Sequence, residues 1–211
     1  MQFALEIPTA SKGDHGVAYS PIERQVFDHL EAVRDQLSRV AGADVVRLVQ
    51  LLRSVRDRGS FIYIAGNGGS ASTASHWAND LGKATKRSGQ RPVKVICLSD
   101  NVSWFSALSN DEGYDRSFAG QLENYVSAGD LLVCISASGN SKNLIAATEL
   151  ARTRGAATYA LLGFDGGALK DIAQDSMVVE CDRGAYELVE DIHMAVCHAV
   201  TRCLIADKAS Q

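Results

Sequence analysis

With 211 residues, 46 % of them hydrophobic and 22 % charged, and a formal net charge of −4, the chain has the size and balance of one globular α/β domain, not of a disordered or fibrous protein. Acids and bases are interspersed without a basic stripe, which argues against nucleic-acid binding, and no apolar run reaches the length of a membrane span. The five cysteines (Cys97, Cys134, Cys181, Cys197 and Cys203) are odd in number and form no CxxC pair, so neither a disulfide framework nor a thiolate zinc site is expected and the cytoplasm is the expected compartment.

Residues 1–19 are aperiodic, without a basic n-region or a sustained apolar stretch, and read as an arm rather than a secretory signal. Residues 20–211 read as a single domain. Ser20-Pro21 has the form of a helix cap followed by a first-turn proline. Ile22, Val26, Phe27, Leu30 and Val33 then recur at helical spacing, and after Gly42 a second amphipathic stretch carries Leu48, Leu51, Leu52 and Val55. Beyond Gly59 the pattern changes to strands alternating with helices. Phe61–Ala65, Val93–Leu98, Asp130–Ile135, Thr158–Leu162 and Met177–Glu180 are strand candidates, separated by helical stretches over about 70–86, 101–109, 114–127, 141–154, 167–173 and 186–207. Such alternation predicts a mostly parallel, doubly wound sheet with helices on both faces, preceded by a helical pair.

Two loops carry the functional signal. Gly66-Asn67-Gly68-Gly69-Ser70 follows the first strand and opens a helix; its glycines admit a ligand close to the backbone, and the free N–H groups of the helix start favour an anion. The segment also satisfies a loose GxGxxA fingerprint, but the acid that should bind a ribose some 20 residues on is missing, and no Gly-Lys-Ser/Thr follows, so no nucleotide cofactor is expected. Ser136-Ala137-Ser138-Gly139-Asn140-Ser141 repeats the arrangement after a later strand, with three hydroxyls suited to a phosphate monoester. In doubly wound sheets such turns face one crevice at the carboxyl ends of the strands.

These two loops, together with Asn110-Asp111 and the C-terminal Glu190-Asp191-Ile192-His193 and His198, resemble the sugar isomerase (SIS) domain family over about residues 20–207, and within it the phosphoheptose isomerases. The resemblance implies a five-stranded parallel sheet in flavodoxin-like order and a homotetramer with its sites between subunits. It implies an enzyme that interconverts sedoheptulose 7-phosphate and D-glycero-D-manno-heptose 7-phosphate. Phosphate contacts would come from Ser136, Ser138 and Ser141, and substrate contacts from Asn67, Gly68, Gly69, Asn110 and Asp111, with Ser70, Ala137 and Glu190 completing the set. It places the catalytic base at Asp80 and the acid/base histidine at His198. Some family members bind zinc, and the ligands would here be His76, Asp80, Glu190 and His198.

The residues themselves are compatible with that chemistry. Aldose–ketose isomerisation needs a base for a carbon-bound proton and a second group for the enediol(ate) oxygens. His76 and Asp80 are i,i+4 neighbours on one helical face, and Glu190 and His198 lie about 80° apart around the last helix. His193 reads as a structural residue, and His15 and His29 carry no signal. The chain departs from the family in having Asp80 where glutamate is usual, Asn79 where another acid is frequent, and Glu190 where glutamine is usual. The shorter acid loses roughly 1.5 Å of reach, and the added charge at Glu190 favours a metal or raises a neighbouring pKa. The alternatives are a non-catalytic SIS adaptor associated with a replication initiator, a sugar-phosphate sensor and, more distantly, a dinucleotide oxidoreductase. Asp80 and His198, which adaptors tend to lose, favour the enzyme.

Overall fold

The computed structural model describes residues 19–86 and 90–207. Of the arm expected over residues 1–19, all but Tyr19 lies outside the described residues. Two helices come first, α1 (Pro21–Arg39) and α2 (Gly42–Arg58). Ser20 caps α1 reciprocally: the Glu23 N–H donates to Ser20 Oγ at 3.3 Å and the Ser20 N–H to Glu23 Oε2 at 2.7 Å, which satisfies two donors that a helix start leaves open. The alternating part follows as β1 (Phe61–Gly66), α3 (Gly69–Asn79) with a π turn over Asp80–Ala84, β2 (Lys94–Cys97) and α4 (Val102–Asp111). A 3-10 turn (Tyr114–Arg116) and α5 (Ala119–Leu122) lead into β3 (Leu131–Ser136), α6 (Lys142–Thr153) and β4 (Ala157–Gly163). The chain continues through α7 (Gly167–Ile172) and β5 (Asp175–Val179) to α8 (Tyr186–Ala206).

The five strands are all parallel and ordered β2-β1-β3-β4-β5. Strand order reverses between β1 and β3, which pair with Ile62 opposite Leu131 and Gly66 opposite Ile135. The carboxyl ends of these two strands border the switch-point crevice of a doubly wound sheet. Side chains alternate across the sheet. Ile62, Ile64, Leu131, Val133, Ile135 and Leu161 pack under α2, α3 and α8, while Tyr63, Ala65, Leu132, Cys134, Ala160 and Leu162 pack under α5, α6 and α7. With both faces covered, the strands are the continuous apolar runs that the sequence displays. No helix among the described residues is long and apolar enough to cross a membrane.

The helix expected over 114–127 is broken into the 3-10 turn and the single turn of α5. Two contacts account for the break. A β-carbon on Gly120 would lie 2.7 Å from the Leu108 side chain, so α5 is drawn tightly onto α4. The Gln121 amide donates to the Leu98 and Ser117 carbonyls at 3.0 and 2.8 Å, tying this stretch to the end of β2.

Candidate active site

The two Gly/Ser-rich loops meet. A cleft of about 340 Å³ at the ends of β1 and β3 is lined by Asn67, Gly68, Gly69 and Ser70 from the first loop and by Ser136, Ala137, Ser138 and Ser141 from the second. Tyr186 and Glu190 of α8 close its remaining side. The N-termini of α3 and α6 both open here, and neither Gly68 nor Ser141 caps its helix with a side-chain hydrogen bond. N–H groups of the helix starts and a Ser141 hydroxyl with no partner among the described residues therefore line a concave surface suited to anionic oxygens.

The second loop is held in shape before any ligand arrives. The Gly139 N–H donates to Ser136 Oγ at 3.1 Å and the Asn140 N–H to Ser138 Oγ at 3.3 Å. From the first turn of α7, the Leu169 N–H donates to the Gly139 carbonyl at 2.9 Å and the Ala168 N–H to Asn140 Oδ1 at 3.0 Å. Gly139 has φ +64°, and a β-carbon there would overlap the Gly166 carbonyl, so only glycine fits this close backbone approach. Asn140 and the turn around Gly166 carried no signal of their own in the sequence.

About two turns further along α3 lies a second cluster. His76 Nε2 is 3.0 Å from His198 Nε2, and Asp80 Oδ2 is 3.4 Å from His76 Nε2 and 3.9 Å from His198 Nε2. The helices that carry these groups run side by side in the same direction. Glu190 meets Gly69 at one end of the seam, and Trp77 Nε1 donates to Thr201 Oγ1 at 3.2 Å in its buried interior. The π turn begins at Asp80, a distortion frequently found at functional sites. The shorter acid therefore still reaches both imidazoles, while its other oxygen accepts from Asn79 Nδ2 at 3.3 Å. His76, Asp80 and His198 can present ligand atoms all within 4.8 Å of one another. Two imidazoles and a carboxylate suit a zinc ion with one open coordination position.

Glu190 is not part of that cluster. It lies two turns earlier on α8, with its carboxylate packed onto the Cα of Gly69 inside the cleft, so the structure brings together three of the four ligands that the resemblance implied. Asn110 and Asp111 are likewise outside the cleft of their own chain; they are exposed at the end of α4, where Asn110 Nδ2 donates to Asp111 Oδ1 at 2.7 Å. His193, one turn along α8 from Glu190, is fully buried with Nε2 3.0 Å from the Leu162 carbonyl, a structural placement. His29 pairs with Asp191 across α1 and α8 at 3.0 Å. Burial, helped by the Asp80 charge, holds the Cys197 thiol well above its ordinary pKa, so the cysteine beside His198 stays protonated and is no nucleophile.

Fold and site together define a doubly wound α/β protein with an anion-type cleft at its switch point and a His/Asp/His cluster on the adjoining helical seam. The chain belongs to the SIS domain family, whose profile matches residues 25–163. It is 36 % identical over 188 residues to the phosphoheptose isomerase of Chlorobium phaeobacteroides, covering 89 % of this chain and 83 % of that one. It is 43 % identical over 159 residues to the lincomycin biosynthesis protein LmbN of Streptomyces lincolnensis, which corresponds to 72 % of this chain and 58 % of that protein's length. Among solved structures, the phosphoheptose isomerase GmhA from Neisseria gonorrhoeae superposes with a TM-score of 0.80 at 28 % identity, over 89 % of this chain and 100 % of that one.

Proposed function

We propose that this protein is a sugar-phosphate isomerase that interconverts sedoheptulose 7-phosphate and D-glycero-D-manno-heptose 7-phosphate through an enediol(ate). The observation that carries the reading is the pairing of a phosphate-type cleft with an acid–base cluster on the same helical seam. From Gly69 to His76 is seven residues of α3, about 10 Å of rise. An extended seven-carbon chain with its phosphate ester spans roughly the same length, at about 1.5 Å per bond before allowing for bond angles. With the phosphate on Ser136, Ser138, Ser141 and the N–H groups of Gly69 and Ser70, the C1–C2 end would come to Asp80 and His198.

There Asp80 takes the carbon-bound proton and returns it to the neighbouring carbon, while His198 passes a proton between the two oxygens; each role needs a group within hydrogen-bond reach. In a metal-loaded site, zinc held by His76, Asp80 and His198 would replace His198 at the oxygens by polarising the carbonyl and stabilising the enediolate, leaving the second Asp80 oxygen as the base. Glu190, facing the cleft, would contact the sugar chain.

The proposal extends to a homotetramer with its sites between subunits. It is supported by the apolar stripe on α1, where Ile22, Val26 and Leu30 are 73, 52 and 58 % exposed, and by α4, which buries none of its residues. Subunit contact through α4 would bring Asn110 and Asp111 into a neighbouring cleft. Five free thiols fit a cytoplasmic setting.

The test is conversion of sedoheptulose 7-phosphate by the purified protein, with aldose formation and solvent-deuterium incorporation followed together. His198→Asn should lower turnover about 10²–10⁴-fold with the fold intact. Unaltered turnover removes His198 from the mechanism, and binding without any turnover in the wild type favours a non-catalytic adaptor or sensor instead.

A further inference from the structure

Asn143, in the first turn of α6, is fully buried, although its side chain is an amide. It faces the side chain of Asn67. Asn67 Nδ2 donates to Asn143 Oδ1 at 3.0 Å, and Asn143 Nδ2 donates back to Asn67 Oδ1 at 3.0 Å. The other Asn143 N–H reaches Ser117 Oγ at 3.2 Å, and Ser117 too is fully buried. The hydroxyl of the half-exposed Tyr114 donates to Asn67 Oδ1 at 2.8 Å.

An amide offers two N–H donors and two acceptor lone pairs. By that inventory both lone pairs of Asn67 Oδ1 and both N–H groups of Asn143 are engaged, and a single N–H of Asn67 remains. The Asn67 side chain is thus committed to the protein. Its partners come from the segments to which ligand contacts were assigned: Asn67 follows β1, Asn143 stands just past Ser141, and Tyr114 stands just past Asp111.

From this network we infer that Asn143 and Tyr114 are positioning residues for the reaction proposed above. Acting through Asn67, they fix the spacing between the N-termini of α3 and α6 and hold the 110–114 segment against the first loop. The sugar phosphate then meets the backbone N–H groups of the first loop rather than the Asn67 amide. The inference rests on the isomerase reading for the identity of the substrate, whereas its anion-binding consequence is measurable without turnover.

Two variants and two measurements test it. Tyr114→Phe removes only a hydroxyl from a half-exposed ring; Asn143→Ala removes the buried partner. For each, KM and kcat for sedoheptulose 7-phosphate are measured alongside the dissociation constant of inorganic phosphate by calorimetry. Tyr114→Phe should raise both KM and the phosphate constant roughly three- to tenfold, the scale of one neutral hydrogen bond, with kcat within about twofold. That split marks loss of binding common to ground and transition states. Asn143→Ala should raise both about 30-fold, since it takes two hydrogen bonds from the partly buried Asn67 amide and one from the fully buried Ser117 hydroxyl. Adding Tyr114→Phe to it should cost nothing more, because the two act through one residue.

An unmoved phosphate constant in Tyr114→Phe, or losses that simply add in the double variant, overturns the inference; if Asn143→Ala does not fold, Tyr114→Phe decides alone. A wild type that binds phosphate without turning over the sugar sinks the isomerase reading and leaves this comparison in force. Turnover by the wild type with KM and phosphate binding unchanged in the variants does the reverse, and a wild type that binds no phosphate overturns the inference outright.

Discussion

Acid should weaken this protein through His193, and by a calculable amount. The imidazole is fully buried, Nε2 faces the Leu162 carbonyl at 3.0 Å, and Nδ1 finds no partner among the described residues. A proton on Nδ1 would place a charge in the core with no acceptor for its N–H. Burial accordingly lowers the pKa from 6.5 to about 4, against a smaller opposing effect of the Leu162 carbonyl. Between those two values the unfolded chain binds a proton that the folded chain does not. The stabilisation is therefore complete above about pH 6.5 and is lost as pH falls toward 4, at up to 1.36 kcal/mol per unit, roughly 3 kcal/mol in all. That is a large share of the 5–15 kcal/mol typical of a folded domain. His193→Gln keeps an N–H donor for Leu162 but cannot titrate. Urea unfolding of both proteins at pH 7, 6, 5 and 4 isolates the effect, since carboxylates common to the two cancel in the difference. The wild type should lose roughly 3 kcal/mol more than the variant across that range. Curves that stay parallel would refute the assignment of a neutral, desolvated imidazole.

Gly139→Ala combines a left-handed backbone with a clash against the Gly166 carbonyl, so the second loop has to shift. A displacement of about 1 Å at a ligand-positioning loop costs on the order of 10²-fold in kcat/KM, and an unchanged value would show that the loop does not grip the substrate. Zinc added to chelator-treated protein at about 100 times its dissociation constant should stabilise by about 2.7 kcal/mol. That corresponds to a rise of roughly 5–10 °C in Tm for a chain of this size, and His76→Ala should abolish it; equal melting with and without zinc removes the metal from the site.

What the sequence disclosed, and what it withheld, divides along the range of the interactions involved. The loops at 66–70 and 136–141 were legible because glycine and serine at a strand-to-helix junction act locally: their chemistry lies in their own backbone and hydroxyls. The order of the sheet followed from strand–helix alternation and the family resemblance together. Asn143 was invisible because an asparagine at a helix start ordinarily reads as a cap or a solvated residue; its role depends on Asn67, 76 positions away. The break in 114–127 had the same origin, since the Gln121 bond to Leu98 overrides a helix that propensity alone would allow. Glu190 marks the limit most clearly. Its angular position on α8 is compatible with either site, and only the offset between α3 and α8 decides that its carboxylate lies against Gly69, at the phosphate-type end of the seam, while His198 meets His76 at the other. A glutamate at that end adds negative charge to a cleft otherwise built for anions, so the carboxylate has to find a sugar hydroxyl to accept from or be repelled by the phosphate. Glu190→Gln should therefore tighten phosphate binding and alter the preference among ketose phosphates, whereas equal phosphate affinity in the two proteins would place the carboxylate outside the occupied part of the cleft.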